Sequence, residues 1–385
     1  MNWIELFIGA LIGCIVTIAR EHLVDIIQKI YIVYIDRKRS SMNHKLLINI
    51  TKKYINESSF FLPKDNDNNE ICLFTSRDWI KEIPLSPSTD GPIIVSDIEK
   101  NNKHASSEVS FGNARLFQGT ICTVADYNNE NESPWILASL DYFSYAKFRK
   151  QMMRVQRFRF FRPSRLVRQW LKNPLTAINE KKLPIAVGGT VALVQQGDLG
   201  LEMLVHRRSS EVFVEPNMLS FLPTFGMEKN TSNMNSSKFG ILQHNFLREL
   251  GEELFGIPEV IQNDGYYDPD WFLKIEHISD VVKDWKNNKF QLRILGISID
   301  PWNPSVHFSL EAFSPIKSYW SQYMKKGKAS WEISRHESGN IEASFIALDC
   351  VAGKTLSTGI ATETSRFLLS RLLEKHMIPK EHNTI

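Results

Sequence analysis

The longest apolar run of the chain lies close to its first residue. From Leu6 to Ala19 the sequence reads LFIGALIGCIVTIA without a charge, and Trp3 and Ile4 extend this run past Glu5. A helix of this length spans about 25 Å, which is near the lower limit for crossing a bilayer. We predict a single transmembrane helix here. A cleaved signal peptide is one alternative, although a basic start and a small-residue cleavage site are missing, and a buried helix is another.

The charges that flank this run predict its orientation. Residues 20–53 contain eight Lys/Arg residues, whereas the short segment before the run contains none. Basic residues favour the cytoplasmic side, so we expect the chain after Ala19 to be cytoplasmic. Residues 21–54 continue as a juxtamembrane helix and linker, with a second membrane span as the alternative. Gly9 and Gly13 form a GxxxG pattern, which would let two such helices approach closely.

Beyond residue 55 the pattern changes to short apolar runs separated by turn-forming residues. This predicts a small β-rich or mixed region at 55–141, a connector at 142–183 and an α/β domain at 184–380. In the last of these, the apolar spacing over Thr362–Lys375 predicts a closing amphipathic helix. The predicted strands of this domain lie at 184–194, 201–208, 290–299, 307–316 and 344–349.

Composition narrows the class of protein. Apolar residues make up 43% and charged residues 23% of the 385, which excludes a disordered chain, a collagen-like fibre and a disulfide-dense scaffold. The slightly negative mean hydropathy excludes a polytopic membrane protein. The four cysteines, Cys14, Cys72, Cys122 and Cys350, show no paired metal-ligand spacing, so we predict reduced thiols.

The positive charge is concentrated in the connector. Ten of the 46 Lys/Arg residues lie in 142–172, which contains no acid, so acids outnumber bases by 43 to 36 elsewhere. Aromatic residues alternate with these basic ones. A solvated helix, contact with an anionic lipid surface and contact with a phosphate-bearing ligand are the three alternatives. Ser164 is expected to cap a helix that separates two faces, one with Arg165, Arg168 and Lys172 and the other with Leu166, Val167 and Trp170.

The candidate chemistry lies in a helical pattern around residues 242–257. Glu249, Glu252 and Glu253 have helical spacing and should project from one face, with Leu247, Leu250 and Leu254 on the other. Three carboxylates in this pattern either face solvent or bind a hard cation such as Mg²⁺. Arg248 is placed to orient Glu249 through a charge-assisted hydrogen bond.

The run from Arg248 to Glu253 resembles the Nudix box, which ends in Arg-Glu-aliphatic-any-Glu-Glu-any-Gly-aliphatic. The resemblance implies an α/β/α sandwich over about 185–378. It also implies that Glu252 and Glu253 bind Mg²⁺ and that Glu249 is a ligand or the catalytic general base. Candidate nucleotide-binding residues are Arg248 and the two arginines that end the second strand, Arg207 and Arg208.

The sequence also departs from the box. The upstream glycine and glutamate positions hold Met234 and Gly240, so Gly226 and Glu228 are candidates for displaced equivalents ahead of an insertion. The glycine after the box arrives one residue late, at Gly256. These departures leave it open whether the domain hydrolyses anything.

An N-terminal anchor, a cytoplasmic middle region and a degenerate Nudix-like domain together resemble the transmembrane–NUDIX effectors of bacterial CBASS anti-phage systems. This resemblance implies a cyclic oligonucleotide as ligand, no nucleic acid polymer as partner, homo-oligomers on activation and disruption of the inner membrane. Two alternatives stay open. One is a membrane-tethered, Mg²⁺-dependent Nudix pyrophosphohydrolase of nucleotide-linked diphosphates, and the other is a non-catalytic tether for a protein partner.

Overall fold

The computed structural model describes residues 47–53, 60–87, 93–99, 120–128, 134–157, 165–179, 183–210, 215, 217–228, 237–257, 270–327, 333, 342–349 and 361–377. The predicted transmembrane helix, Leu6 to Ala19, and its glycine pair lie outside these residues. Among the residues described, no helix is both long enough and apolar enough to cross a membrane.

Eleven strands of the described ranges belong to one mixed sheet. In chain order they are β1 (Ile83–Leu85), β2 (Ile93–Glu99), β3 (Thr120–Tyr127), β4 (Trp135–Asp141), β5 (Ala186–Gln196), β6 (Leu201–Arg207), β7 (Leu219–Phe221), β8 (Thr224–Gly226), β9 (Gln291–Asp300), β10 (Ser305–Lys317) and β11 (Ala343–Ala347). Neighbours follow the order β1-β9-β10-β5-β3-β4-β2, while β6 pairs with β5, β7 and β11, and β8 pairs with β5. The five strands predicted in the C-terminal half are confirmed.

The parallel pair of β5 and β10 lies at the centre of this sheet. Ser305 is opposite Ala186, and the pairing continues to Ser314 opposite Gln195. Every residue of β5 except the two at its ends is buried, as expected for a strand covered on both faces. Because the two strands run in the same direction, their first residues lie side by side at the same end of the strands, in the middle of the sheet.

Helices cover both faces of the sheet. After a short helix at 47–53 they are α1 (Tyr142–Arg157), α2 (Arg165–Lys172), α3 (Pro174–Asn179), α4 (Ile241–Glu249), α5 (Glu276–Lys286), α6 (Tyr319–Lys326) and α7 (Glu363–Met377). Leu368 of α7 packs with Ala192 and Val194 of β5. Gln195 instead donates from Nε2 to the Ser321 hydroxyl of α6 at 2.7 Å. Since successive side chains of a strand point to opposite faces, α6 and α7 lie on opposite sides of β5.

The closing helix begins where the sequence predicts it. The Thr362 hydroxyl accepts a hydrogen bond from the backbone N–H of Ser365 at 3.2 Å, which is the contact of an N-cap residue. Near the other end of α7, Lys375 Nζ lies 2.6 Å from the buried carboxylate of Glu311 in β10. These contacts hold both ends of α7 in place, and the predicted helix over Thr362–Lys375 is confirmed.

The predicted β-rich region at 55–141 joins the same sheet as the C-terminal half. Ile83 of β1 lies opposite Ile294 of β9, and Thr123 of β3 lies opposite Ala186 of β5. A sheet edge carries unpaired backbone groups, and these strands satisfy them on β9 and β5. The region is therefore packed as part of the main sheet and does not form a separate layer.

The basic connector packs against the sheet at several points. Arg149 of α1 is buried and donates from Nε to Asn303 Oδ1 at 2.9 Å. The Trp170 indole of α2 donates to the Pro301 carbonyl oxygen at 2.7 Å. The described part of the connector is thus fastened to the sheet through these two residues.

Helix α2 shows the predicted two faces. Arg165, Arg168 and Lys172 are exposed, whereas Val167 and Trp170 are buried. The amphipathic pattern is confirmed for these residues. The predicted cap, at position 164, lies outside the described residues.

Two of the four cysteines lie in described segments. Cys72 and Cys122 are both buried, and neither forms a disulfide bond among the described residues. Burial raises the pKa of the Cys72 thiol well above its ordinary range, so this cysteine is held in the protonated form. Cys14 and Cys350 lie outside the described residues.

Candidate functional site

The helix that carries Glu249, Glu252 and Glu253, here called the acidic helix, departs from regular α-helical geometry after Glu249. α4 ends at Glu249, and Leu250–Leu254 continue it as a π-helical turn. Hydrogen bonds of a π-turn close from i to i+5, which changes the angular spacing of the side chains. Glu252 is 8% exposed and Glu253 is 1% exposed. The open acidic face that α-helical spacing predicts is therefore not formed.

Arg248 is the centre of a buried ion cluster. Its guanidinium lies 2.7 Å from Glu249 Oε1, 3.0 Å from Glu252 Oε2 and 3.6 Å from Glu228 Oε1. Burial opposes the charged form, but the three carboxylates outweigh it and raise the pKa of Arg248 well above its ordinary value. The predicted contact between Arg248 and Glu249 is confirmed, and Glu228, the candidate for the displaced glutamate, belongs to the same cluster.

Glu253 contacts a different element, the short strand β8. Its Oε2 atom accepts a hydrogen bond from the backbone N–H of Thr224 at 3.1 Å. The Thr224 hydroxyl in turn donates to the Phe221 carbonyl oxygen at 2.9 Å. Glu253 thus fastens the end of the acidic helix to β8.

In this arrangement the glutamates do not fit a bound Mg²⁺. Both carboxylate oxygens of Glu252 accept from Arg248 Nη1, at 3.1 and 3.0 Å, and Glu249 Oε1 accepts from Nη2. Mg²⁺ requires oxygens that converge with near-octahedral geometry, and here it would have to displace the guanidinium. Across the described ranges, no three His, Cys, Asp or Glu side chains converge on a point that could hold a metal ion. The predicted metal role of Glu249, Glu252 and Glu253 lacks geometric support.

The three arginines predicted to bind a nucleotide lie in different environments. Arg207 donates to the Asn217 carbonyl oxygen at 2.8 Å and pairs with Glu342 at 2.9 Å near the surface. Arg248 is held in the buried cluster. Of the three, Arg208 lines a cavity. Arg208 is therefore the one among them that is positioned to meet a ligand.

This cavity has a volume of about 180 Å³ and lies where the first residues of β5 and β10 meet β8 and the start of α7. Part of its lining is apolar, including Ile121, Val187 and Phe225. The ionisable part comes from α1, the segment after β6, the end of β9 and the start of β10, and consists of Tyr142, Tyr145, Arg208, Glu215, Asp300 and His307.

Two close approaches shape the cavity wall. His307 of β10 lies opposite Gly188 of β5, and a Cβ atom on Gly188 would lie 2.7 Å from the Phe225 carbonyl oxygen and 3.3 Å from His307 Nδ1. Glycine is therefore required for β8 and the imidazole to approach β5. The Thr190 hydroxyl fixes the ring from behind through a hydrogen bond to Nε2 at 2.6 Å.

Burial shifts the cavity groups toward their uncharged forms. The pKa of His307 is lowered to about 3, mainly by burial and further by Arg208. The pKa of Glu215 is raised to about 7 by burial and by Asp300, against the opposing effect of Arg208. Burial also raises the pKa of the Tyr145 hydroxyl. Near neutral pH, His307 and Tyr145 are uncharged and Glu215 is close to its midpoint.

Sequence reasoning missed most of this cavity. Tyr142 and Tyr145 belong to the basic-aromatic connector that the sequence singled out, but Glu215, Asp300 and His307 carry no motif. The sequence did give a positional signal, because Asp300 directly follows one predicted strand and His307 begins the next. The pairing that brings His307 beside Gly188, more than a hundred residues earlier, is visible only in the fold.

The fold and these two clusters define a mixed α/β protein with a buried Arg–Glu cluster on a helix and a polar cavity at one end of the central strands. No family model and no curated protein matches the chain. Among solved structures, DR0079 from Deinococcus radiodurans is 14% identical over 48% of this chain and 82% of its own, with a TM-score of 0.27. A NUDIX hydrolase from Alicyclobacillus acidocaldarius is 15% identical over 48% of this chain and 90% of its own, with a TM-score of 0.28. With TM-scores this low, neither likeness assigns an activity or a site.

Proposed function

We propose that the chain is a membrane-anchored receptor whose Nudix-like C-terminal domain binds a cyclic oligonucleotide without hydrolysing it. In this proposal the chain is an effector of a bacterial CBASS antiviral system. The predicted anchor, Leu6 to Ala19, lies in the inner membrane, and the rest of the chain is cytoplasmic. Binding promotes homo-oligomers, and the assembled anchors disturb the membrane and stop the infected cell.

The Nudix-like character of the domain is supported by the chain's own geometry. The sheet carries helices on both faces, and the box residues Arg248, Glu249 and Glu252 form one cluster with Glu228. Glu228, the candidate for the displaced glutamate, thus lies next to the box arginine.

The observation that carries the receptor function is the state of the box carboxylates. Glu252 and Glu253 are buried, and hydrogen bonds from Arg248 and Thr224 already engage them. A hydrolase of the Nudix type would need these oxygens for Mg²⁺. The cavity beside β8, by contrast, presents Arg208 and two tyrosines to a ligand. The geometry therefore supports binding better than metal-dependent hydrolysis.

A receptor of this kind works only if the ligand distinguishes two states. A ligand with equal affinity for the single and the assembled chain would shift nothing, however tightly it binds. The cavity is suited to such a role because its lining joins α1, which follows the N-terminal part of the chain, to strands of the C-terminal half. A ligand bound in the cavity therefore contacts two segments that are distant in sequence.

The test uses the full-length chain in detergent micelles. Its melting temperature is measured with a panel of cyclic di- and trinucleotides, and each ligand is then recovered and examined by mass spectrometry. Ligand at a hundredfold excess over Kd stabilises the folded state by about 2.7 kcal/mol, which is readily detected. We expect one cyclic oligonucleotide to stabilise the protein and to be recovered intact. No stabilisation by any member of the panel would contradict the receptor.

A Mg²⁺-dependent hydrolase is the second candidate, because Glu228 accompanies the retained Arg248–Glu249 pair. It predicts turnover of a linear nucleotide-linked diphosphate that requires Mg²⁺ and is lost in Glu252→Gln and Glu253→Gln. The receptor predicts no turnover in any of these proteins. Rapid Mg²⁺-dependent turnover by the wild type, without affinity for cyclic oligonucleotides, would establish the hydrolase instead.

Topology offers a separate check on the anchor. A reporter fused after the last residue should be cytoplasmic. The protein should harm its host only when the chain carries the anchor and the ligand is present. Periplasmic labelling of the C-terminus would reverse the proposed orientation.

A further inference from the structure

Three polar groups in the lining of the cavity have no hydrogen-bond partner among the residues that the structure describes. They are the hydroxyl of Tyr145, the Nδ1 atom of His307 and the carboxyl group of Glu215. Tyr145 is 5% exposed and His307 is 8% exposed, and Glu215 is half-buried. Buried polar groups in folded proteins are almost always hydrogen-bonded. Three polar groups that line one cavity and have no partner in the described chain are therefore available to hydrogen-bond to a polar occupant.

The charge balance of the lining argues against a phosphate as this occupant. Arg208 is the lining cation, and it faces two acids, Asp300 and Glu215. Asp300 is already engaged, since it accepts hydrogen bonds from the backbone N–H groups of Trp302 and Asn303 at 2.8 and 2.9 Å. Anionic groups are bound best by several charge-assisted donors. Neutral donors and acceptors such as Tyr145 and His307 fit an uncharged, hydrogen-bonding group instead.

The size and the apolar part of the lining narrow the choice further. At about 180 Å³ the cavity is smaller than the roughly 300–1,000 Å³ of sites that hold a whole drug-sized ligand. It accommodates one ring of a larger molecule. Ile121 supplies apolar surface, and Tyr142 and Tyr145, which pack in the same cluster, supply aromatic surface. Aromatic and apolar surfaces favour a flat heterocycle, whose π-face can stack, over a sugar.

We propose that this cavity is a nucleobase subsite in which Tyr145, His307 and Glu215 hydrogen-bond to the edge of a single base while the phosphates of the ligand stay outside. The inference rests on the proposed function for the identity of the larger ligand, although a free nucleoside should occupy the same place. Tyr145 lies on α1, so the base contacts the connector as well as the C-terminal sheet.

The experiment measures the affinity of the full-length chain in detergent micelles for four nucleosides and for inorganic phosphate. Adenosine, guanosine, cytidine and uridine are titrated by calorimetry and by thermal shift against the wild type, Tyr145→Phe and Glu215→Gln. Tyr145→Phe deletes a hydroxyl that makes no hydrogen bond within the described chain, so its unliganded melting temperature should be unchanged. Tyr323→Phe is the matched control, because its hydroxyl, 3.0 Å from Asp284, lies away from the cavity.

We expect at least one nucleoside to bind, and Tyr145→Phe to weaken it about three- to tenfold, as the loss of one hydrogen bond implies. Glu215→Gln should change which nucleoside is preferred, and Tyr323→Phe should leave affinity unchanged. Failure of all four nucleosides to bind, or binding of phosphate alone, would overturn the subsite.

The outcome also separates this inference from the proposed function. If a cyclic oligonucleotide binds the wild type, Tyr145→Phe and Glu215→Gln equally well, the receptor stands and the subsite fails. If nucleosides bind with the expected losses in the variants and no cyclic oligonucleotide binds, the subsite stands and the receptor fails.

Discussion

The Arg248 cluster and the cavity are both rich in ionisable side chains, but they differ in how those side chains are satisfied. In the cluster, the guanidinium contacts three carboxylates at 2.7, 3.0 and 3.6 Å. In the cavity, the Tyr145 hydroxyl and His307 Nδ1 find no hydrogen-bond partner in the described part of the chain. The cluster carries the Nudix-like motif, whereas the cavity carries polar groups that are open to an occupant. The motif residues are thus engaged within the fold, while the cavity, which carries no motif, is the site that we propose for a ligand.

The largest effect should come from breaking the cluster. Arg248→Met leaves Glu228, Glu249 and Glu252 in a buried site without their counter-charge, which should destabilise the fold by about 3–5 kcal/mol. Urea denaturation of the full-length chain in micelles measures this loss.

The matched control is Arg207→Gln, which removes a partly exposed ion pair with Glu342. Its cost should be about 0–1 kcal/mol. Equal stability of the two variants would show that the Arg248 cluster does not stabilise the fold, and the proposed difference between the cluster and the cavity would be wrong.

A smaller effect is expected in the cavity and depends on pH. The pKa of Glu215 is raised from its ordinary value of 4.5 to about 7 by burial and by the nearby carboxylates of Asp300 and Glu363. Arg208 and Arg149 oppose this shift. Tyr145 and His307 line the same cavity as Glu215. Folding therefore favours the protonated form of Glu215. The contribution of this group to the free energy of unfolding is fully present below about pH 4.5 and is lost as the pH rises through 7. Glu215→Gln should stabilise the protein at pH 8 by about 1–3 kcal/mol and have little effect at pH 4.5.

The exposed Glu374 provides the comparison for this variant, since its side chain is 55% accessible. Glu374→Gln should give the same melting temperature as the wild type at both pH values. A Glu215→Gln variant that is equally stable relative to wild type at pH 4.5 and pH 8 would contradict the account of a desolvated carboxyl group in the cavity.

The smallest effect concerns Thr362, which lines the cavity but also caps α7. Thr362→Ala should cost about 1 kcal/mol through the lost cap, and Thr362→Ser should restore it. Thermal unfolding of both variants measures the difference. If Thr362→Ala were neutral for stability, the Thr362 hydroxyl would not act as the cap of α7.

The sequence predicted elements well wherever a local pattern decides the structure. The strands β5 and β10, the two faces of α2 and the extent of α7 all follow from neighbouring residues. The contact between Arg248 and Glu249 was also predicted, because the two residues are adjacent in the chain.

The remainder depended on contacts that no local pattern encodes. The π-turn at Leu250–Leu254 places Glu252 and Glu253 in buried positions, where α-helical spacing suggested an open face. The cavity needs Tyr145, Glu215 and His307 from three separate segments, so it arises only when β10 pairs in parallel with β5. Likewise, the pairing of β1 with β9 joins a predicted separate region to the main sheet.

The most direct test of the central claim is hydrogen–deuterium exchange of the full-length chain in micelles, with and without a saturating cyclic oligonucleotide. We expect the ligand to slow exchange around the cavity, in residues 142–149, 300–309 and 361–366, and to leave exchange in residues 241–254 unchanged. Protection confined to residues 241–254, with the cavity segments unaffected, would place the ligand on the acidic helix and contradict the account.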